Sequence, residues 1–293
     1  MLDPVRRSLG RHLRALRIAA GMSQSAAGTA VFLSPQSIGR IEDGQYTRVS
    51  NLHINALCDL YGVTGDGREV LLGLVQQARE ARRSARPDWW SPFTDLLSAD
   101  ELDRLVLEQH AIAGTAFGST LIPGLAHTAD YRCAFEQILH PQDSPTDIAR
   151  RVELAEQRSK RLHTNNFRVS IYILESALWH VIGGPGVMHT QLAHLAEISA
   201  RPTVSVRVIG REVNSHIGFH LASFVLLEFG VLLAGDPPEP PEVFIDGAPR
   251  SLRLQREGDI GHYRAATDEL SRIALSESAS RTLLHQITQD YRA

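Results

Sequence analysis

Apolar residues recur at helical spacing through the N-terminal part of the chain. Val5, Leu9, Leu13 and Leu16 fall on one stripe, which predicts an amphipathic helix over 4–20, with Gly21 placed to cap its end. Arg7, Arg11 and Arg14 share a different face. A short helix is expected from Ser23 to about Ala30. Ser34–Pro35 then opens a third, with serine at the cap and proline at the first helical position, where its missing N–H costs nothing. Asp43–Gly44 closes it. A fourth helix follows Ser50, carries Leu52, Ile54, Leu57 and Leu60, and ends at Tyr61–Gly62; a fifth covers Glu69 to about Ser84.

Arg86–Pro92 interrupts this pattern with two prolines, so a domain boundary is expected there, with Trp89 and Trp90 packed against one of the domains. Beyond it the pattern is mixed. Helices are predicted over 100–115, 127–139, 145–163 and 187–200, and strands over 167–174, 203–209, 221–229 and 242–246. Val204, Val206 and Val208 alternate with Ser205 and Arg207, as in a half-buried strand. A proline cluster from Asp236 to Pro241 joins the last two strands, and 258–291 reads as a final helical stretch. The expectation is an α+β chain: an all-α domain of about five helices over 1–85, a linker over 86–99, and an α+β domain with a small antiparallel or mixed sheet over 100–293.

Composition narrows the class without choosing a function. The 293 residues are 43 % hydrophobic and 22 % charged, as in ordinary globular chains. The arginine-rich N-terminus could suggest a transit peptide, but it runs directly into a motif that needs this helix. The apolar run Leu221–Ala234 is too short to span a bilayer, contains Glu228, and reads as a buried strand pair; a cytoplasmic protein without membrane contact is expected. Cys58 and Cys133 are far apart in the chain, so two buried, reduced thiols are expected rather than a disulfide or zinc site. The net charge of −3 hides an asymmetry: residues 1–86 carry +5 and the remainder −8. A basic head on an acidic body suits a head that meets a polyanion.

The informative segment runs from Met22 to Gly44. It places two short helices around a tight turn behind a helix rich in leucine and arginine. The major groove of B-DNA admits one α-helix, and the second helix of such a pair is shaped to lie there. Ile38 and Ile41 must face the core, leaving Gln36, Ser37, Gly39 and Arg40 on the open side. Residues 9–61, with LRALRIAAGMSQ, SPQSIGRIEDG and LCDLYGV, resemble the xenobiotic-response-element family of Cro/repressor-type helix-turn-helix domains.

That resemblance implies roles. Gln24, opening the second helix, matches a residue that contacts phosphate and braces the recognition helix. Pro35, Gln36 and Ser37 match base-reading positions, with Arg40 one turn on, and Arg17 and Glu42 match an ion pair that holds the domain together. Glutamine suits adenine, and arginine suits guanine, through paired hydrogen bonds. The expected DNA-facing set is Gln24, Ser34, Pro35, Gln36, Ser37, Gly39, Arg40 and Arg48. Two departures stand out. Phe32 occupies the turn position that usually holds glycine, and Gly28 a position that usually holds alanine. A phenylalanine in a left-handed turn costs about 1 kcal/mol or more, so a remodelled turn is expected.

Leu107–Ala111, Leu121–Tyr131, Leu174–Leu178, Gly183–Gly184 and Val187–Leu192 resemble, in order, segments of the WhiJ-like regulators of actinomycetes, whose effector domain is also described as antitoxin-like. The resemblance implies control by a small acidic partner protein, or an antitoxin role with DNA binding for autoregulation; Ala126 and His127 depart from its pattern. No catalytic motif is visible. His189 with His194, and His216 with His220, lack the arrangement of a zinc site. Glu175 is expected to pair with an arginine such as Arg168 or to line a ligand pocket. Gly183–Gly186 reads as a turn rather than a phosphate cradle. A non-enzymatic, homodimeric regulator on an inverted repeat of double-stranded DNA, with no cofactor or metal and a partner protein or unknown small ligand as its signal, is the expectation.

Overall fold

The computed structural model describes residues 4–45, 50–83, 88–231, 239–247 and 251–291. The chain divides into two compact units. The first comprises Met1–Asp88, Leu102–His110 and Gly230–Glu239; the second comprises Trp89–Glu101, Ala111–Phe229 and Pro240–Ala293.

In the first unit the expected helices form in order: α1 (Pro4–Ala19), α2 (Gln24–Ala30), α3 (Pro35–Glu42), α4 (Asn51–Tyr61) and α5 (Asp66–Arg83). Ser23, Ser34 and Ser50 each cap the helix that follows by accepting a backbone N–H at the third residue on. Leu9, Leu13, Val31, Ile38, Ile41, Ile54, Leu57, Leu71 and Leu74 close the core. Cys58 is buried in it with a free thiol, and burial pushes that thiol up from its ordinary range. Cys133, in the second unit, is only half-buried, so the expectation of two buried thiols holds for one of them.

Next come α6 (Ala99–His110) and β1 (Ala111–Gly118), which corrects the single helix expected over 100–115. Ala111–Gly118 is rich in alanine and glycine and has no β-branched run. Its strand state comes from position, because β1 is flanked on both sides in the sheet. Gly114 also leaves room for the Phe167 ring, whose Cζ lies 3.1 Å from where a β-carbon on Gly114 would stand.

The second unit continues with α7 (Ala129–Leu139), α8 (Pro145–Ser159), β2 (Arg168–Leu174), α9 (Pro185–Ile198), β3 (Val204–Ile209), β4 (Phe224–Phe229), β5 (Glu242–Ile245) and β6 (Leu252–Leu254). The sheet is six-stranded and mixed, in the order β3-β2-β1-β4-β5-β6. β1 and β3 each run parallel to β2, while β4 is antiparallel to β1, and β5 to β4. Of the apolar run Leu221–Ala234, the described part forms the single strand β4; residues 232–234 lie outside the described residues. The short, partly exposed β6 was not anticipated.

The helical stretch expected over 258–291 is two helices, α10 (Glu257–Ile273) and α11 (Glu277–Asp290). The break is made by a distant strand. The Leu275 amide donates to the Val208 carbonyl at 2.9 Å, and the Val208 amide donates to Ser280 Oγ at 2.9 Å. Arg207 then binds the end of α10, its guanidinium donating to the carbonyls of Leu275 and Ala274 at 2.8 and 2.7 Å. Trp90 is buried and meets Trp89 edge-on at 5.3 Å. Among the described residues no helix is long and apolar enough to cross a membrane.

Candidate nucleic-acid interface

The candidate interface is built from α2, the turn after it, and α3. Ala27 is buried, and Gly28 lies where the chain folds back. Val31 is buried, Phe32 adopts φ 57°, and the Leu33 amide donates to the Gly28 carbonyl at 2.8 Å. A β-carbon on Gly28 would stand 2.6 Å from the Leu33 carbonyl oxygen. The turn is thus left-handed at Phe32 and tightened against Gly28, so the two residues belong to one feature.

Ser34 caps α3, its Oγ accepting from the Ser37 amide at 3.1 Å and lying 2.9 Å from Ser37 Oγ. Ile38 and Ile41 face the core. Pro35, Gln36 and Arg40 are exposed. Gln36 and Arg40 are four residues apart in the helix and so share a face.

Three helices are tied together behind that face. Arg17 donates from Nε to Glu42 Oε1 at 2.6 Å and from Nη2 to Glu42 Oε2 at 2.9 Å, while its Nη1 donates to the Met22 carbonyl at 2.7 Å. Gln24 Nε2 donates to Glu42 Oε2 at 2.9 Å, and its amide group lies over Gly39. Burial pushes the Glu42 carboxyl up, but the hydrogen bonds from Arg17 and Gln24 and the charges of Arg17 and Arg14 outweigh it, leaving Glu42 below the usual carboxylate range. The Glu42 hydrogen bond raises Arg17 further. Burial, with the Glu42 charge, pushes Tyr61 up to about 12.

Of the site residues expected from sequence, Gln36, Arg40 and Pro35 stand on the open face. Ser34 and Ser37 engage each other at the cap, Gly39 sits beneath Gln24, and Gln24 is half-buried with its amide nitrogen committed to Glu42. Arg48 lies outside the described residues. The arginine face of α1 divides: Arg7 is buried, Arg14 lies 3.7 Å from Asp43, and Arg11 makes a two-pronged pair with the buried Glu239. Gly10 supports the interface without being among the expected residues. A β-carbon there would stand 2.5 Å from the carbonyl oxygens of both Ile41 and Glu42, so α1 crosses α3 at this glycine. A lone glycine inside an otherwise regular amphipathic stripe was the available signal.

Residues 8–71 match the helix-turn-helix domain family, and residues 102–286 match the domain of unknown function DUF5753. The chain belongs to the DUF5753 family. Neither a curated protein nor a solved structure matches it. With a helix-turn-helix domain ahead of its DUF5753 domain, the chain is a DNA-binding regulator.

Within the DUF5753 domain, Glu175 is buried and accepts from the Arg211 amide at 3.0 Å, with the Arg211 guanidinium 3.8 Å away. Its partner is therefore Arg211, not Arg168, which is exposed on β2. His189 Nδ1 hydrogen-bonds the Thr288 carbonyl at 3.1 Å, and His216 stacks on Phe219 at 4.1 Å. Gly183 and Gly184 take positive φ and lead into Pro185, the first residue of α9. His127 is buried, its Nε2 hydrogen-bonding the Ile122 carbonyl at 2.7 Å. Burial, with the Arg132 charge, pushes it down to about 3. His127 Nδ1 and Arg132 Nε are buried without a hydrogen-bond partner among the described residues.

Proposed function

We propose that the chain is a sequence-specific transcriptional regulator that binds an inverted repeat of double-stranded DNA as a homodimer, with its DUF5753 domain receiving the controlling signal. The observation that carries this reading is the pairing of Gln36 and Arg40 on the exposed face of a capped helix whose other face is locked by Ile38, Ile41 and Glu42. Glutamine and arginine read adenine and guanine edges in the major groove, each good pair being worth about 1–3 kcal/mol of discrimination. Footprinting on the DNA upstream of the protein's own reading frame tests it. Two protected half-sites separated by about 34 Å support a two-fold dimer; uniform coating that tracks only salt contradicts sequence-specific binding.

The DUF5753 domain is proposed to bind rather than to catalyse. Glu175 accepts from the Arg211 amide, His189 bonds the Thr288 carbonyl, and His216 stacks on Phe219 while its Nδ1 has no hydrogen-bond partner among the described residues. A small-molecule signal gains support from His127 Nδ1 and Arg132 Nε, since buried polar atoms without partners are costly unless something meets them. Melting the full chain against a panel of cellular metabolites tests that form of control, with uniformly unchanged transitions counting against it. Control by a small acidic partner, or an antitoxin role toward one, rests on the resemblance alone. Co-purification with the product of a neighbouring small reading frame distinguishes it.

A further inference from the structure

Phe32 occupies a position that its own fold does not require it to fill. Its backbone lies in the left-handed region at φ 57°, which glycine adopts freely and a residue with a β-carbon adopts at a cost. Phe32 is 96 % exposed, so the helical core gives its ring no packing in return. The turn is closed by other groups: Val31 is buried, the Leu33 amide bonds to Gly28, and Ser34 caps α3. A glycine at 32 would serve the same turn without strain or an exposed ring. Strain held at a single position, with no compensation inside the domain, points outward to something the domain meets.

We propose that Phe32 is a DNA-contacting residue whose ring packs against the sugar and base edge of duplex DNA beside the bases met by Gln36 and Arg40. The proposal rests on the DNA-binding reading of α3. Phe32 precedes the cap Ser34 by two positions and Gln36 by four, on the connection that leads into the helix. A phenyl ring has a matching surface in the major groove, the thymine methyl group. Its exposed sequence neighbours Thr29, Ala30, Ser34, Pro35 and Gln36 are small or polar, so this stretch of chain offers no broad apolar patch for a partner protein.

The test uses the full chain and the duplex that the wild-type protein enriches from a random-sequence pool. Phe32→Gly is expected to raise the melting temperature, because it removes the strain, yet to weaken binding by about tenfold or more, the scale of a buried phenyl contact. The slope of log affinity against log salt stays unchanged, since an apolar contact releases no counterions. Phe32→Leu is expected to keep part of the affinity. Wild-type affinity in Phe32→Gly overturns the assignment, including the case where self-association falls while DNA binding holds, which gives the ring to an interface between copies. A wild-type chain that enriches no duplex overturns the DNA reading itself and this inference with it. Enrichment by the wild type followed by equal binding of Phe32→Gly removes only the role of Phe32.

Discussion

Arg17 and Glu42 form a two-pronged pair across 25 residues of chain, with Nε–Oε1 at 2.6 Å and Nη2–Oε2 at 2.9 Å. Both side chains are buried, and Gln24 completes the Glu42 oxygens from α2. Breaking a buried pair leaves a charge uncompensated, which costs about 3–5 kcal/mol. Arg17→Ala should therefore lower the melting temperature of the helix-turn-helix domain. Any loss of operator affinity in that variant should follow the loss of folding, as circular dichroism and binding on one sample will show.

Glu42 also sets a pH dependence. Its folded value lies below the ordinary carboxylate range, so the charged carboxylate stabilises the fold above the unfolded value of about 4.3. That contribution is lost as pH falls through the lowered folded value. In Glu42→Gln the acid-side loss of helix-turn-helix stability should be shallower than in wild type. An identical acid slope in urea titrations of the two proteins would exclude Glu42 as its source.

His127 titrates in the opposite chemical sense but destabilises on the same side. It is held neutral, at about 3 rather than 6.5, because burial and Arg132 disfavour its charged form. Below 6.5 the unfolded chain takes up a proton that the folded chain refuses, so stability should fall by about 1.4 kcal/mol per pH unit until the folded value is reached. His127→Gln, which keeps a donor for the Ile122 carbonyl, should flatten that part of the curve for the DUF5753 domain. Denaturant midpoints collected between neutral pH and pH 4 will show whether it does.

Gly10→Ala should destabilise the helix-turn-helix domain although alanine is the better helix former. The new methyl would stand 2.5 Å from two carbonyl oxygens at the crossing of α1 and α3. Overpacking of this kind costs about 1–3 kcal/mol, more than the roughly 1 kcal/mol that helix propensity returns. Urea unfolding gives the sign directly, and a net gain in stability would mean that the helices part without cost.

The N-terminal helices were legible because their punctuation is local. Ser23, Ser34–Pro35 and Ser50 each act on backbone amides within three residues, and Ile38 and Ile41 keep the helical period. What escaped was set by residues far away in the chain. β1, rich in alanine and glycine, is a strand because β2 and β4 flank it. The break before Ser276 depends on Val208 and Arg207, and Arg11 finds Glu239 at a separation of 228 residues. The sequence leaves Glu175 either to pair with an arginine such as Arg168 or to line a ligand pocket, and it is Arg211 that supplies the contact. In the candidate interface the residue types were legible; the mutual cap of Ser34 and Ser37 and the hold of Glu42 on Gln24 needed coordinates.

The central claim is that the face carrying Gln36 and Arg40 reads sequence. Competition between the duplex the protein enriches and a shuffled duplex of equal length, at one salt concentration, tests it most directly. The wild-type chain should prefer the enriched duplex by about 1,000-fold or more. Gln36→Ala and Arg40→Ala should each narrow that ratio at an unchanged melting temperature. Equal affinity for both duplexes, undisturbed by either substitution, would contradict the account.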